Sequence, residues 1–305
     1  VATAITSSGQ LSIRWIEKSL NIYLNKLLET KNEDYVIASD TDSVYITFDA
    51  LVSKVFGESA ETSKVVEFLD KVATTKLEPF INRSYESLAK TVGAYEQKMI
   101  MSREVIADKG IWTAKKRYIL NVYDSEGVRY KEPKLKIMGI EAVKSSTPAP
   151  CREKIKEALK IIINGDEKML NTFIQEFRKE FMLLSPEEIA FPRSCNGIKK
   201  FTGDSSLFRK GAPIHVKGAI LYNHLIRKNK LSGKFPFINE GDKVRFVNMK
   251  QPNIYQSSAF SFITSFPKEL DIRDRIDYDV QFTKSFVEPL KFITEKINWM
   301  IDNSY

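Results

Sequence analysis

Two short runs rich in β-branched and aromatic residues, Tyr35-Val-Ile-Ala38 and Ser43-Val-Tyr-Ile-Thr-Phe48, are separated only by Ser39-Asp40-Thr41-Asp42. So short a connection leaves one economical solution, an antiparallel hairpin with a tight turn at its tip. Asp suits that turn because its carboxylate bonds nearby backbone. Two carboxylates at one tip repel each other unless a cation lies close by. A hard divalent ion such as Mg²⁺ takes oxygen ligands and retains positions for phosphates. The plain alternative is a solvated Asp-rich turn.

The rest of the chain falls into two blocks. Residues 3–29 place apolar side chains at helical spacing, with Ser7-Ser8-Gly9 expected to loosen the first turns. Residues 49–61 read as a connector. Residues 62–92 read as a long helix or helix pair that Pro79 should kink or break. Candidate strands run over Met99–Ile106, Lys116–Tyr123 and Lys134–Met138, with Asp124-Ser-Glu-Gly127 as a turn. The first block, 1–139, is therefore expected to be α+β with an antiparallel sheet. Ser145-Ser-Thr-Pro-Ala-Pro150 marks the boundary, and its prolines suit a helix starting just beyond. Helices are expected over 151–164 and 166–182, joined at Asn164-Gly165. Short strands are expected near 214–217 and 243–248, within a loop-rich stretch over 186–270, and a final helix over 277–301, with Pro289 inside it. The second block, 140–305, reads as mostly helical.

At 305 residues with 43% hydrophobic content, the chain can bury two cores. No run of about 18 apolar residues is present, so no membrane span is expected. Nothing at the start resembles a signal peptide. The first residue is Val1 rather than Met, inside an expected helix, which suggests a processed chain or a fragment. Cys151 and Cys195 lack CxxC spacing and read as inert thiols in a reducing compartment. His215 and His224 are too few and too scattered for a zinc site. The net charge of +8 favours a polyanionic partner, and lysines recur with aromatics across 98–144 and 199–250.

Ser39-Asp-Thr-Asp-Ser-Val-Tyr45 resembles the DTDS motif of family B DNA polymerases, the palm hairpin that carries catalytic carboxylates. Ala2-Thr-Ala-Ile-Thr6, Gly9-Gln10 and Trp15-Ile-Glu17 resemble the palm helix of T-even-type phage replicative polymerases. Lys115-Lys-Arg-Tyr118 with Leu120-Asn-Val-Tyr-Asp124 resembles their KKRY segment. Glu132 to Glu141 and Lys144-Ser-Ser-Thr-Pro148 resemble the passage from palm to thumb. Pro213-Ile-His-Val-Lys-Gly218 and Lys284-Ser-Phe-Val-Glu-Pro-Leu290 resemble thumb segments. The likeness covers almost the whole chain in the family's order. It implies a partial palm over 1–139 and a thumb over 140–305.

The resemblance also implies roles. Asp42 would be a metal ligand and Asp40 its companion carboxylate in a two-metal site for Mg²⁺, or for Mn²⁺. Glu104 would be a further acidic residue near that site. The family has Asp where this chain has Ser102, and a structural carboxylate paired with Arg103 or a lysine is an equal reading of Glu104. Lys116 would touch the primer end through the minor groove and Tyr118 would support the primer strand. On a strand, Lys116 and Tyr118 would share one face, and Lys115 and Arg117 the other. Lys144 resembles a primer-strand contact, with Lys134 and Lys136 as neighbouring candidates. His215 and Lys217 could touch backbone phosphates, which gives affinity without sequence choice. Without the resemblance the basic segment is also readable as a solvated strand.

The family's DxxSLYPS and KxxxNSxYG motifs are not in this sequence. The expectation is a C-terminal half of a split polymerase, or a segment excised from a longer one, acting in the cytoplasm of an infected bacterium. Its partners would be an N-terminal half with exonuclease, fingers and the other palm motifs, primer–template DNA and dNTP. Family members often end in a peptide that docks on the sliding clamp. This ending, Ile301-Asp-Asn-Ser-Tyr305, lacks the double aromatic, so clamp contact is left open. Two other classes compete: a non-catalytic primer–template-binding accessory protein, and a DxD glycosyltransferase. The latter would want a nucleotide-binding α/β half before the DxD, and only some 40 residues precede it.

Overall fold

The computed structural model describes residues 2–57, 60–140, 144–203 and 206–302. Glu141, within the expected passage from palm to thumb, and Asn303–Tyr305 of the ending that leaves clamp contact open lie outside the described residues. The fold is α+β, and the chain divides into two compact units, Val1–Lys136 and Ile137–Tyr305.

The first unit opens with α1 (Ala2–Leu28), unbroken through Ser7-Ser8-Gly9, followed by β1 (Val36–Asp40) and β2 (Ser43–Ile46). Next come α2 (Asp49–Phe56), α3 (Thr62–Val72), a π turn over Ala73–Leu77 and α4 (Glu78–Thr91). The connector expected over 49–61 is thus corrected in its first part. Phe56 of α2 packs edge-on against Phe68 of α3 at 5.3 Å, a tertiary contact that outweighs the loop-like composition. Pro79 does not break the helix. It has no N–H, and its ring would strike the carbonyl four residues back. The π turn just before it widens the helix at that carbonyl and lets the chain continue helical.

The helical core of this unit is a stripe on α1, Ile16, Leu20, Leu24 and Leu28, against Leu77, Ile81, Tyr85 and Leu88. Tyr23 stacks on Phe80 at 4.1 Å, and the Trp15 indole N–H reaches the Ser84 carbonyl at 3.0 Å.

Strands β3 (Val105–Ala114), β4 (Arg117–Ser125) and β5 (Val128–Met138) form a sheet in that order. The strand expected over Met99–Ile106 is corrected: residues 99–104 are irregular, and pairing starts at Val105 opposite Ser125. Gly110, inside β3, is a packing requirement. A Cβ there would lie 2.6 Å from the Trp112 ring and 2.8 Å from Leu120. The β4–β5 turn has positive φ at both Glu126 and Gly127, the geometry that suits strand twist in a two-residue hairpin.

The second unit begins with α5 (Ala149–Asn164) and α6 (Glu167–Phe181), the latter capped by Asp166, whose carboxylate accepts the Met169 N–H at 2.8 Å. Then follow α7 (Pro186–Ile189), β6 (Phe191–Ser194), α8 (Ile198–Phe201), α9 (Ile214–Lys228), β7 (Lys243–Asn248) and β8 (Ala259–Phe262). The unit ends with α10 (Tyr278–Phe282), a π turn over Thr283–Val287, and α11 (Glu288–Thr294). Pro289 repeats the solution at Pro79, with a π turn directly before it.

The strand expected over 214–217 is corrected to the first turn of α9. Its β-branched Ile214 and Val216 suggest a strand, but small residues bring this helix onto β8. A Cβ on Gly218 would sit 2.5 Å from the Ser261 hydroxyl and 2.7 Å from its backbone nitrogen. Strands β6–β7–β8 are antiparallel. The core is largely aromatic: Phe177, Phe181, Phe282 and Phe286 form one cluster, and Tyr222, Phe260, Phe262 and Phe266 another set of ring contacts.

Candidate active site

The β1–β2 hairpin is fixed from α1 by two asparagines. Asn21 Oδ1 accepts the Tyr35 and Val36 N–H groups at 2.9 and 3.0 Å, while its amide donates to Asp34 at 2.7 Å. Asn25 accepts the Glu33 N–H at 3.0 Å and donates to the Glu33 carbonyl at 2.7 Å. The side-chain alternation of β2 then serves two layers. Val44 and Ile46 pack on the helical core, and Tyr45 packs with Trp112 and Tyr118 of the sheet.

At the tip, Asp40 pairs with Ser43, which leaves Thr41 and Asp42 as the turn. The Asp42 N–H donates to the Asp40 carbonyl at 2.6 Å, and Thr41 has φ +56°. That is a γ-turn on a β-branched residue, a rare conformation. Such conformations cost of order 1–3 kcal/mol and cluster at functional sites. The Asp40 carboxylate is partly exposed, accepts the Thr41 hydroxyl at 3.0 Å and lies 3.4 Å from Lys116 Nζ. Asp42 is exposed, and its carboxylate has no ion pair or hydrogen bond among the described residues. Two hard oxygen donors at one tip, one of them unengaged, fit a divalent ion such as Mg²⁺. Among the described residues no group of three or more His, Cys, Asp or Glu side chains is gathered to hold a metal. Asp40, Asp42 and Glu104 therefore do not form a complete cage.

Glu104 is engaged elsewhere. Its carboxylate pairs with Lys136, and its carbonyl accepts the Glu126 N–H at 2.7 Å. Beside it lies a charge network that the sequence does not advertise. Arg103, largely buried, bonds Asp70 of α3 at 2.7 Å and also Asp124 of β4, whose side chain is fully buried. Arg129 of β5 reaches Asp70 at 3.3 Å and Asp124 at 3.5 Å. The Arg103 N–H donates to Glu78 at 2.9 Å. The Arg103 guanidinium, followed by that of Arg129, holds the Asp70 carboxyl below its ordinary range despite partial burial. The sheet is thus tied to the helices by ions.

The KKRY segment departs from the alternating strand expected. Ala114 pairs with Arg117, so Lys115 and Lys116 form the two-residue turn between β3 and β4, with Lys116 at φ +62°. Both lysines are exposed, and Arg117 is half-buried. Tyr118 is only 7% exposed. It lies beneath the turn, 5.4 Å from the Tyr45 ring and 6.2 Å from Trp112. Burial, with the Tyr118 phenol nearby, pushes the Tyr45 phenol up to about 12. Lys134 is exposed, its ammonium 4.1 Å over the Tyr130 ring.

The remaining candidates lie in the second unit. Lys144 is half-buried, and its carbonyl accepts the Thr147 N–H at 3.2 Å. His215 and Lys217 lie in the first turn of α9, both half-buried. Burial and the neighbouring Arg193 hold the His215 imidazole below its ordinary range, against an opposing hydrogen bond with the Ser194 backbone. His215 is therefore better suited to a neutral hydrogen-bonding role than to a cationic one. Lys217 lies 5.6 Å over the Phe208 ring. Cys151 and Cys195 are buried free thiols, each pushed up to about 11 by burial. That agrees with inert side chains.

No helix among the described residues is long and apolar enough to cross a membrane. No protein-family model matches the chain. It is 38% identical over 308 residues to a DNA-directed DNA polymerase of Escherichia phage RB69, covering 96% of this chain and 33% of that relative. It is 36% identical over 307 residues to the DNA-directed DNA polymerase of Enterobacteria phage T4, covering 96% of this chain and 34% of that one. Over nearly its whole length, the chain thus corresponds in sequence to about one third of a T-even-type phage DNA-directed DNA polymerase.

Proposed function

We propose that these residues are the C-terminal part of a family B DNA polymerase, with a partial palm over 1–139 and the thumb over 140–305. The observation that carries this reading is the tip of the β1–β2 hairpin. An unengaged Asp42 and a partly exposed Asp40 stand beside the exposed Lys115–Lys116 turn, in a chain of which 96% is similar to about one third of two phage polymerases.

Asp42 is the principal oxygen ligand for Mg²⁺ and Asp40 its companion, with Mn²⁺ as an alternative ion. When bound, the metal pair neutralises charge and favours in-line attack of a primer 3′-hydroxyl on a dNTP. Lys116, held near Asp40 in this structure, contacts the primer end, and Lys115 and Arg117 add positive charge beside it. Tyr118 supports that turn from below. Lys134 and Lys136 of the first unit contact the primer–template; so does Lys144 of the second, where Lys217 and His215 contact backbone phosphates. Glu104 orients Lys136 and contributes negative charge near the metals. The remaining carboxylate, the triphosphate-gripping helix, the fingers and the exonuclease come from polypeptide outside these residues. Synthesis takes place in the cytoplasm of the infected bacterium. Sliding-clamp contact is not assigned.

Primer extension with Mg²⁺ and dNTPs tests this reading, using the chain alone and the chain mixed with a polypeptide carrying the missing palm motifs. Synthesis in the mixture alone supports it. Salt-sensitive primer–template binding without synthesis in any mixture would replace it with a non-catalytic accessory binder.

A further inference from the structure

The carboxylate hairpin and the basic turn belong to different sheets, yet they touch at two places. At the tip, Lys116 Nζ lies 3.4 Å from Asp40. At the base, Tyr45 of β2 meets Tyr118 of β4. Their rings are 5.4 Å apart at 62°. Trp112 closes the third side, 5.4 Å from Tyr45 and directly paired with Tyr118 across β3–β4. Gly110 makes room for that indole, since any larger residue would strike it.

The spacing along each strand matters. Tyr45 is three residues from Asp42, and Tyr118 is two from Lys116. Tyr45 shares its face of β2 with Ser43, which pairs with Asp40 and whose hydroxyl bonds the Asp40 carbonyl at 3.1 Å. A displacement of the turn is thereby passed to the hairpin through one packed aromatic cluster. The hairpin has few other rigid supports on this side, because every residue of β2 is only half-buried.

We propose that Tyr45 and Tyr118 are positioning residues that couple the Lys115–Lys116 turn to the Asp40/Asp42 hairpin, so that duplex DNA bound at the turn steadies the carboxylates. This inference rests on the reading of the turn as a primer–template contact. It adds to that reading a route by which a correctly seated primer end arranges the acidic tip.

Amide hydrogen exchange on the 305-residue chain, with and without a primer–template duplex bearing a recessed 3′ end, tests the coupling. In the native chain DNA slows exchange at residues 114–118 and also across 36–46, the latter by about 3–10-fold, the equivalent of one aromatic pair. Tyr45→Leu and Tyr118→Leu approach the ring contact from opposite sides and keep an apolar side chain at each place. In each, the slowing at 114–118 persists and the slowing at 36–46 is lost. A merely structural role would raise exchange equally with and without DNA. Identical DNA-dependent slowing of the hairpin in the native chain and both variants overturns the coupling while sparing the DNA contact. No slowing at 114–118 in the native chain overturns the contact and the coupling together.

Discussion

The hairpin β1–β2 and the sheet β6–β8 are both small antiparallel structures, yet they are held in opposite ways. Every residue of β8 is buried, under α9 and among phenylalanines. Every residue of β2 is half-buried, and its hairpin is aimed by Asn21, Asn25 and the Tyr45–Tyr118 contact. Apolar packing is strong but directionless. Hydrogen bonds and ion pairs contribute less net stability but fix direction. A region that must present carboxylates at a surface cannot bury itself, so it is oriented by polar contacts. The sheet of the second unit presents no such group and closes on rings.

Four changes would break or sharpen that contrast. The largest effect is expected from Phe286→Ala in the second unit. Phe286 is fully buried, 4.7 Å from Phe177 and 5.4 Å from Phe282. Its truncation should cost about 3–5 kcal/mol. Denaturant unfolding followed by Trp299, which lies in this unit, should show the loss. Arg103→Ala should cost the first unit roughly 3 kcal/mol, because Asp124 would keep its buried charge with Arg129 at 3.5 Å as its one remaining cation among the described residues, beside the Gly127 N–H at 3.0 Å. Trp15 and Trp112 report that unit, and an unchanged midpoint there would mean that the ions do not tie sheet to helices.

Asn21→Ala should cost about 1–2 kcal/mol, because two backbone N–H groups lose their acceptor. The effect should be local, with faster amide exchange over 35–46 and none over β6–β8. The smallest effect is on pH dependence. The Asp70 carboxyl is held low in the folded state by Arg103 and Arg129. Its stabilisation is therefore complete above the ordinary carboxylate pKa of about 4 and is lost as pH falls through the lower folded value. Asp70→Asn should flatten the acid limb of the first unit's stability curve and leave the second unit's limb as it is.

Local features of the sequence carried much of this organisation. The acidic turn between two β-type runs, the stripe on α1, the Asp124–Gly127 turn and the helix pair joined at Asn164-Gly165 all follow from residue type and spacing. The failures have physical causes. Ile214 and Val216 favour strand, but close approach at Gly218 makes the segment a helix packed on β8. The strand expected to end at Ile106 runs on to Ala114, with Gly110 packed against Trp112, a contact known only in three dimensions. Lys115 and Lys116 look like strand residues until register makes them a turn. Asn21 and Asn25 lie on a helix whose apolar stripe conceals their clamp. The Asp70–Arg103–Asp124–Arg129 network joins residues up to 59 positions apart, and no local pattern encodes it. The acidic tip that brings Asp40 and Asp42 to one turn is legible from the sequence alone. The burial of Tyr118 beneath the turn is not.

The central claim is that the hairpin tip on this chain serves nucleotidyl transfer. It is tested most directly by the single-turnover rate of nucleotide incorporation in the reconstituted polymerase, comparing Asp42→Ala and Asp40→Ala with the native chain. The account predicts a loss of about 100-fold or more for Asp42→Ala, corresponding to roughly 3 kcal/mol of barrier, and a smaller loss for Asp40→Ala, with primer–template affinity retained in both. Native rates in Asp42→Ala would contradict it, and would leave the hairpin as a solvated turn on a DNA-binding scaffold.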